Sequence, residues 1–222
     1  MADKWKNDLI KDIRFDNETD NERDYPFGEW IGSPQQQGPE FSPCNRGELA
    51  RSFLSISEKC KVIVEIGVCK IHGVTAESWE TDDRVRLTST YVLLNNKKDD
   101  TLYLGIDEEC RAFLTNRNKN IHTIETDSSN YDKVVAKLKK LGVDTIDYLF
   151  IDGWHSVNQV YKDWEYTSLL SDTGIVGFHD TTSHPGPSLF TKNLNPDIWD
   201  VKTYCPGDNG ISFVTKKQKE TE

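Results

Sequence analysis

The chain has 222 residues and a formal charge of −10, with 36% apolar and 29% charged residues. That acidic balance argues against nucleic acid or an anionic membrane as a partner, because both call for a basic surface. No apolar run is long enough for a membrane span, and the opening MADKWKNDLIKDIRFD holds no apolar signal-peptide core. The length fits one domain with decorations. Cysteines at 44, 60, 69, 110 and 205 are odd in number and show no CxxC or paired framework, so reduced thiols in a cytoplasmic protein are expected.

Residues 1–44 are polar, carry many turn formers, and read as an extended arm or lid. Trp30 within them either tacks the arm to the body or stacks on a ligand. Residues 45–216 read as the domain proper and 217–222 as a solvated tail. Asn45 is placed to cap a helix, with Glu48 at its N3 position and Leu49, Phe53 and Leu54 inward. Lys61–Glu65 is the first strand, and IGV carries it to a turn at Gly67. Roughly 70–87 has no helical period and reads as an insertion over the ligand rim, after which helical spacing begins at Ser89. Thr101–Asp107 and Ile121–Asp127 are the next strands, with a short helix between them. Ser129, with Asp132 three residues on, is expected to cap a helix lined by Tyr131, Val134, Val135, Leu138 and Leu141, ending at Gly142.

The stretch DYLFIDGWHSVNQVYKDWEYTSLLSDTGIVGFHD, Asp147 to Asp180, is the most legible part. Tyr148–Ile151 is an unbroken apolar run, as expected of a parallel strand covered on both faces. Ser156 opens a helix at capping-box spacing from Gln159, and Val157, Val160, Tyr161 and Trp164 form its inner stripe. Gly174 is expected to stop that unit before a second buried strand at Ile175–Phe178. TTSHPGPSLF then reads as a proline-rich loop. Val201–Tyr204 and Ile211–Val214, around Asn209-Gly210, read as a terminal hairpin. The alternation predicts an α/β fold: a doubly wound, mostly parallel seven-stranded sheet with an antiparallel last strand.

Five acids fall at equivalent strand ends: Glu65, Asp107, Asp127, Asp152 and Asp180. Carboxylates on one rim accept hydrogen bonds from ribose hydroxyls and an exocyclic amine, face a cationic group, or hold a hard metal. Neither GxGxxG nor GxxxxGK[ST] is present to cradle phosphates. The implied ligand is a phosphate-free, positively charged nucleoside, and S-adenosylmethionine fits. His155, His179 and His184 converge on the same rim, whereas His72 and His122 read as structural or exposed.

The segments VEIGV (64–68), YLGID (103–107), ETDSS (125–129) and above all DYLFIDGWHS…DWE…LLSDTGIVGFHD resemble class I S-adenosylmethionine-dependent methyltransferases. Within that class they are similar to the branch of catechol and sugar O-methyltransferases and cephalosporin-hydroxylase-like proteins. The resemblance spans roughly residues 48–215. It implies a Rossmann-like fold, with Glu65, Gly67 and Val68 along the methionine moiety, Asp107 on the ribose, and Asp127 with Ser128 beside the adenine. Asp152 would lie at the end of strand four, next to the cofactor, where metal-dependent members place a carboxylate ligand. His179-Asp180 occupies the place of their second ligand pair.

An imidazole is softer than Mg²⁺ prefers, so either Asp152 and Asp180 hold Mg²⁺ or Mn²⁺, with or without His179, or His179 acts without metal. His155 is the expected general base, with His179 or His184 as the replacement; a simple helix-capping role is its bland alternative. Trp154 either packs under the substrate loop or offers a flat face to a sugar ring. The expected acceptor is a sugar, a glycan or another small molecule. Relatives in the class are often dimers, which leaves a homodimer open. Two other readings are a metal-dependent phosphohydrolase using His179-Asp180 and a non-catalytic nucleoside-binding module.

Overall fold

Apolar runs bounded by turn residues become strands, and the computed structural model arranges them in one sheet. It describes residues 59–217 except 70, 72, 84, 86–87, 110–111 and 205–208. The expected arm with Trp30, the Asn45 helix, His72 and residues 218–222 lie outside the described residues. The strands are β1 (Val62–Ile66), β2 (Leu102–Asp107), β3 (Ile121–Glu125), β4 (Ile146–Ile151), β5 (Leu170–His179), β6 (Trp199–Tyr204) and β7 (Ile211–Lys216). Their order is β3-β2-β1-β4-β5-β7-β6. β1 to β5 pair in parallel, and β7 runs antiparallel to both β5 and β6, as the Asn209-Gly210 turn signal anticipated. Strand order reverses between β1 and β4, so their carboxyl ends open the crevice where such sheets bind ligands.

Helices α1 (Ser89–Asn96), α2 (Tyr131–Lys140), α3 (Val157–Asp163) and α4 (Pro185–Lys192) cover the sheet. Alternation along the strands divides the core in two. Val64, Ile66, Leu104, Ile106, Leu149, Ile151, Val176 and Phe178 pack with Val134, Val160 and Phe190 on one side. Ile63, Tyr103, Tyr148 and Phe150 pack with Leu93, Leu114 and Trp79 on the other. Trp164 is fully buried, 5.8 Å from Phe178, 5.2 Å from Phe190 and 4.9 Å from Trp199 between ring centroids. Burying one such side chain stabilises by roughly 2–3 kcal/mol, so this aromatic block anchors α4 against β5 and β6. Among the described residues no helix is long and apolar enough to cross a membrane.

Local expectations met the structure unevenly. Ser156 does cap α3, its Oγ accepting from Gln159 N–H at 3.1 Å. Gly142 does follow α2 at φ +75°, where a Cβ would be strained. Ser129, however, is not the α2 cap. Its N–H is taken by Asp127 Oδ1 at 2.7 Å, and Asn130 holds the cap position without a side-chain cap bond. Gly174 lies inside β5 rather than before it, close to where the β4–β5 register shifts between Ile146 and Tyr148. A Cβ there would come within 3.0 Å of the Ile146 carbonyl, so a close strand approach, not a turn, calls for glycine. The presumed loop after Asp180 becomes α4, because Pro185 takes the first helical position, where a missing N–H costs nothing. Trp79 is fully buried against Tyr91 and Phe113, so the described part of 70–87 is anchored in the core.

Candidate functional site

The turn after β1 must pass very close to β4. Gly67 has φ +85°, and a Cβ on it would lie 2.0 Å from the Asp152 carbonyl oxygen. Both the angle and the space therefore exclude any other residue. One residue on, Val68 N–H donates to Asp107 Oδ2 at 2.7 Å, and Glu109 N–H donates to Asp107 Oδ1 at 2.9 Å. Asp107 thus fastens the β1 turn to the end of β2. Each of its oxygens keeps a further lone pair for a ligand hydroxyl.

These strand ends border a cleft of about 660 Å³, lined by Gly67, Asp107, Asp127, Ser128, Trp154, His155, Gln159 and His184 among others. That volume suits a nucleoside-sized ligand. Its described lining contains acids and no Lys or Arg. Asp127 is exposed at the edge, Ser128 is buried, and Trp154 is 47% exposed. Ser128 Oγ accepts from Gln159 Nε2 at 2.7 Å, and the same nitrogen donates to Asp163 Oδ1 at 3.0 Å. Burial pushes the Asp163 carboxyl up to about 7 against the opposing hydrogen bonds of Ser128 and Gln159.

Where His155 and His184 line the cleft, the β4 and β5 termini form a histidine–aspartate cluster whose Asp152, His179 and Asp180 lie behind that lining. Asp180 is its centre, held at φ +59°, a left-handed conformation that Asp tolerates better than most residues. Its Oδ1 lies 3.0 Å from His179 Nδ1, and its Oδ2 lies 3.1 Å from His155 Nε2 and 4.0 Å from His184 Nε2. Asp152 Oδ1 lies 3.4 Å from His179 Nδ1 and 3.7 Å from His155 Nε2. Two backbone contacts fix the arrangement. Gly186 N–H donates to the His155 carbonyl at 3.1 Å, in a space a Cβ would overfill, and His184 N–H donates to the Asp180 carbonyl at 3.0 Å.

The residues fit a divalent cation. Donor atoms of Asp152, His179 and Asp180 all lie within 4.8 Å of one another, and so do those of His155, Asp180 and His184. His179 Nδ1 is buried and, although close to two carboxylates, makes no directed hydrogen bond. Burial alone would disfavour a proton on His179, but the facing Asp152 and Asp180 outweigh it and raise the imidazole to about 10. A proton or a metal ion can each neutralise this carboxylate pair. Imidazole in the donor set suits an ion more tolerant of nitrogen ligands than Mg²⁺.

The five strand-end acids all reach the carboxyl edge, but not in one role. Glu65 does not line the cleft: it is fully buried beneath it. Its carboxylate accepts from Ser89 Oγ at 2.6 Å and from the Tyr103 hydroxyl, and burial pushes it up to about 7. Gly105 leaves the room Tyr103 uses, since a Cβ there would sit 3.1 Å from the Tyr103 hydroxyl. Val68 is likewise buried and does not line the cleft, its N–H being donated to Asp107 Oδ2. In the sequence Gln159 stands out only by its capping-box spacing from Ser156, and Asp163 carries no catalytic expectation. Their i, i+4 spacing and placement after a rim strand were the available signal.

No family model and no curated protein matches the sequence. Solved structures do. MycE, a methyltransferase from the mycinamycin biosynthetic pathway in complex with Mg, S-adenosylhomocysteine (SAH) and mycinamycin VI, gives a TM-score of 0.54 at 13% identity, covering 79% of this chain and 50% of that one. A further MycE crystal form, with Mg and SAH, gives 0.52 at 13% identity over the same shares. The fold is the Rossmann-like one of class I methyltransferases. A Corynebacterium glutamicum protein gives 0.50 at 12% identity, covering 82% of this chain and 85% of that one. The chain spans about half the length of MycE.

Proposed function

We propose that this chain is an S-adenosylmethionine-dependent O-methyltransferase acting on a hydroxyl of a sugar, a glycan or another small molecule. One observation carries the reading: a single acid-lined cleft without Lys or Arg among its described residues also reaches His155 and His184, the two histidines that face Asp180 in the adjoining histidine–aspartate cluster. An acidic lining repels phosphates and suits a sulfonium-bearing nucleoside. The fold shared with MycE, itself solved with Mg and SAH, supports the same ligand class.

In this reading the free lone pairs of Asp107 accept the ribose hydroxyls, and the Gly67–Val68 turn borders the methionine moiety. Asp127 and Ser128 flank the adenine. When bound, S-adenosylmethionine supplies an electrophilic methyl group on a sulfonium. A divalent ion on Asp152, Asp180 and His179 would supply positive charge that acidifies a nearby hydroxyl. His155 is the general base: it takes the acceptor's proton as the oxygen gains the methyl group, and Asp180 beside it stabilises the resulting imidazolium. His184, whose ring centroid is 4.1 Å from that of His155, stands next in line for the proton. Exposed Trp154 offers a flat face to a sugar ring.

The test is transfer of labelled methyl from S-adenosylmethionine to a panel of nucleotide sugars, glycans and phenols, with Mn²⁺ and with chelator. Label on an acceptor oxygen is expected, reduced by chelation. Metal-dependent phosphate release from phosphomonoesters, without methyl transfer, would replace this reading with the hydrolase one.

A further inference from the structure

Gln159 is a cleft residue whose amide is locked in one orientation. A primary amide offers two N–H donors and one acceptor oxygen. Both donors are used: Nε2 reaches Ser128 Oγ at 2.7 Å and Asp163 Oδ1 at 3.0 Å. Asp163 is fully buried on the last turn of α3, so its carboxylate cannot swing away. Reversing the amide would set Gln159 Oε1 against the Asp163 oxygen, two acceptors in a site without water's screening. The polar atom left for a ligand is Oε1. It belongs to a residue that lines the cleft together with Ser128 and Asp127, and an acceptor there matches a ligand edge that donates.

We propose that Gln159 reads the purine: its Oε1 accepts a hydrogen bond from the 6-amino group of the adenosyl moiety and so rejects a 6-oxo purine. Asp163 and Ser128 are the positioning residues that keep the oxygen outward. The inference rests on the nucleoside reading of the cleft and names the residue that selects the base. Such discrimination is large when a site's buried acceptor would otherwise face another acceptor, as with the O6 of a hypoxanthine ring.

Calorimetry at pH 8, above the value of about 7 to which burial raises the Asp163 carboxyl, tests this with two ligands, SAH and its deaminated analogue S-inosylhomocysteine. The wild-type protein is expected to favour the adenosyl compound about tenfold or more. Gln159→Met, of similar length and without polar atoms, should bring that ratio toward one. Asp163→Asn keeps the buried shape but adds an amide donor that can turn Gln159 around. It should then present Nε2 to the cleft and move the preference toward the inosyl ligand, a change that simple loss of packing does not produce. Unequal binding by the wild type that stays the same in both variants overturns the assignment to Gln159. Equal binding of the two ligands by the wild type overturns it as well. Absence of binding by either ligand overturns the nucleoside reading itself.

Discussion

Glu65→Gln separates burial from charge in one substitution. Glu65 is fully buried, accepts from Ser89 and Tyr103, and has its carboxyl pushed from 4.5 up to about 7 by desolvation. Between those values the unfolded chain has released the proton while the folded chain still holds it. Stability therefore falls as pH rises through this window and levels off above about 7. At about 1.4 kcal/mol per pH unit the total is roughly 3 kcal/mol. Glutamine keeps the shape without the ionisation, and both partner hydroxyls can accept as well as donate, so its amide finds partners. The variant should match the wild type near pH 4.5 and be up to roughly 3 kcal/mol more stable at pH 8. Urea unfolding at pH steps from 5 to 8 measures this. A stability difference that does not change with pH would refute the buried-carboxyl argument.

Three further substitutions probe the site. Gly67→Ala forces a positive φ on a residue whose Cβ would meet the Asp152 carbonyl at 2.0 Å, so a loss of about 3 kcal/mol, near 10 °C in Tm, is expected by calorimetric scanning. Asp107→Asn leaves an amide N–H facing either Val68 N–H or Glu109 N–H. SAH affinity should fall about tenfold to hundredfold in a binding titration. Asp180→Ala removes the carboxylate shared by both histidine groups. Mn²⁺ affinity, followed by electron paramagnetic resonance, should fall by more than about a hundredfold, beyond what losing an outer-shell partner costs.

The parallel sheet was legible because its strands are covered on both faces and read as unbroken apolar runs. Tyr148–Ile151 and the VIV of β1 are such runs, and the hairpin was written in Asn209-Gly210. The rim followed, since residues that end parallel strands share one edge. What lay hidden depended on three-dimensional neighbours. Glu65 has the same strand-end address as Asp107, yet Ser89 and Tyr103 enclose it, and neither adjoins it in sequence. Pro185 looks like a loop residue until it is placed at a helix start. Gly174 looks like a turn until the Ile146 carbonyl is beside it. Gln159 gave no sign of function because its significance comes from two hydrogen bonds, one to Ser128, 31 residues away.

The cleft's charge supplies the most direct test of the central claim. Isothermal titration of the wild-type protein should be run with SAH and, in parallel, with ADP, which carries the same adenosine on a diphosphate. Saturable micromolar binding of SAH with ADP at least a hundredfold weaker is predicted, because Asp107, Asp127, Glu108 and Glu109 line the cleft without a Lys or Arg among its described residues. Equal binding of the two, or tighter binding of ADP, would contradict it.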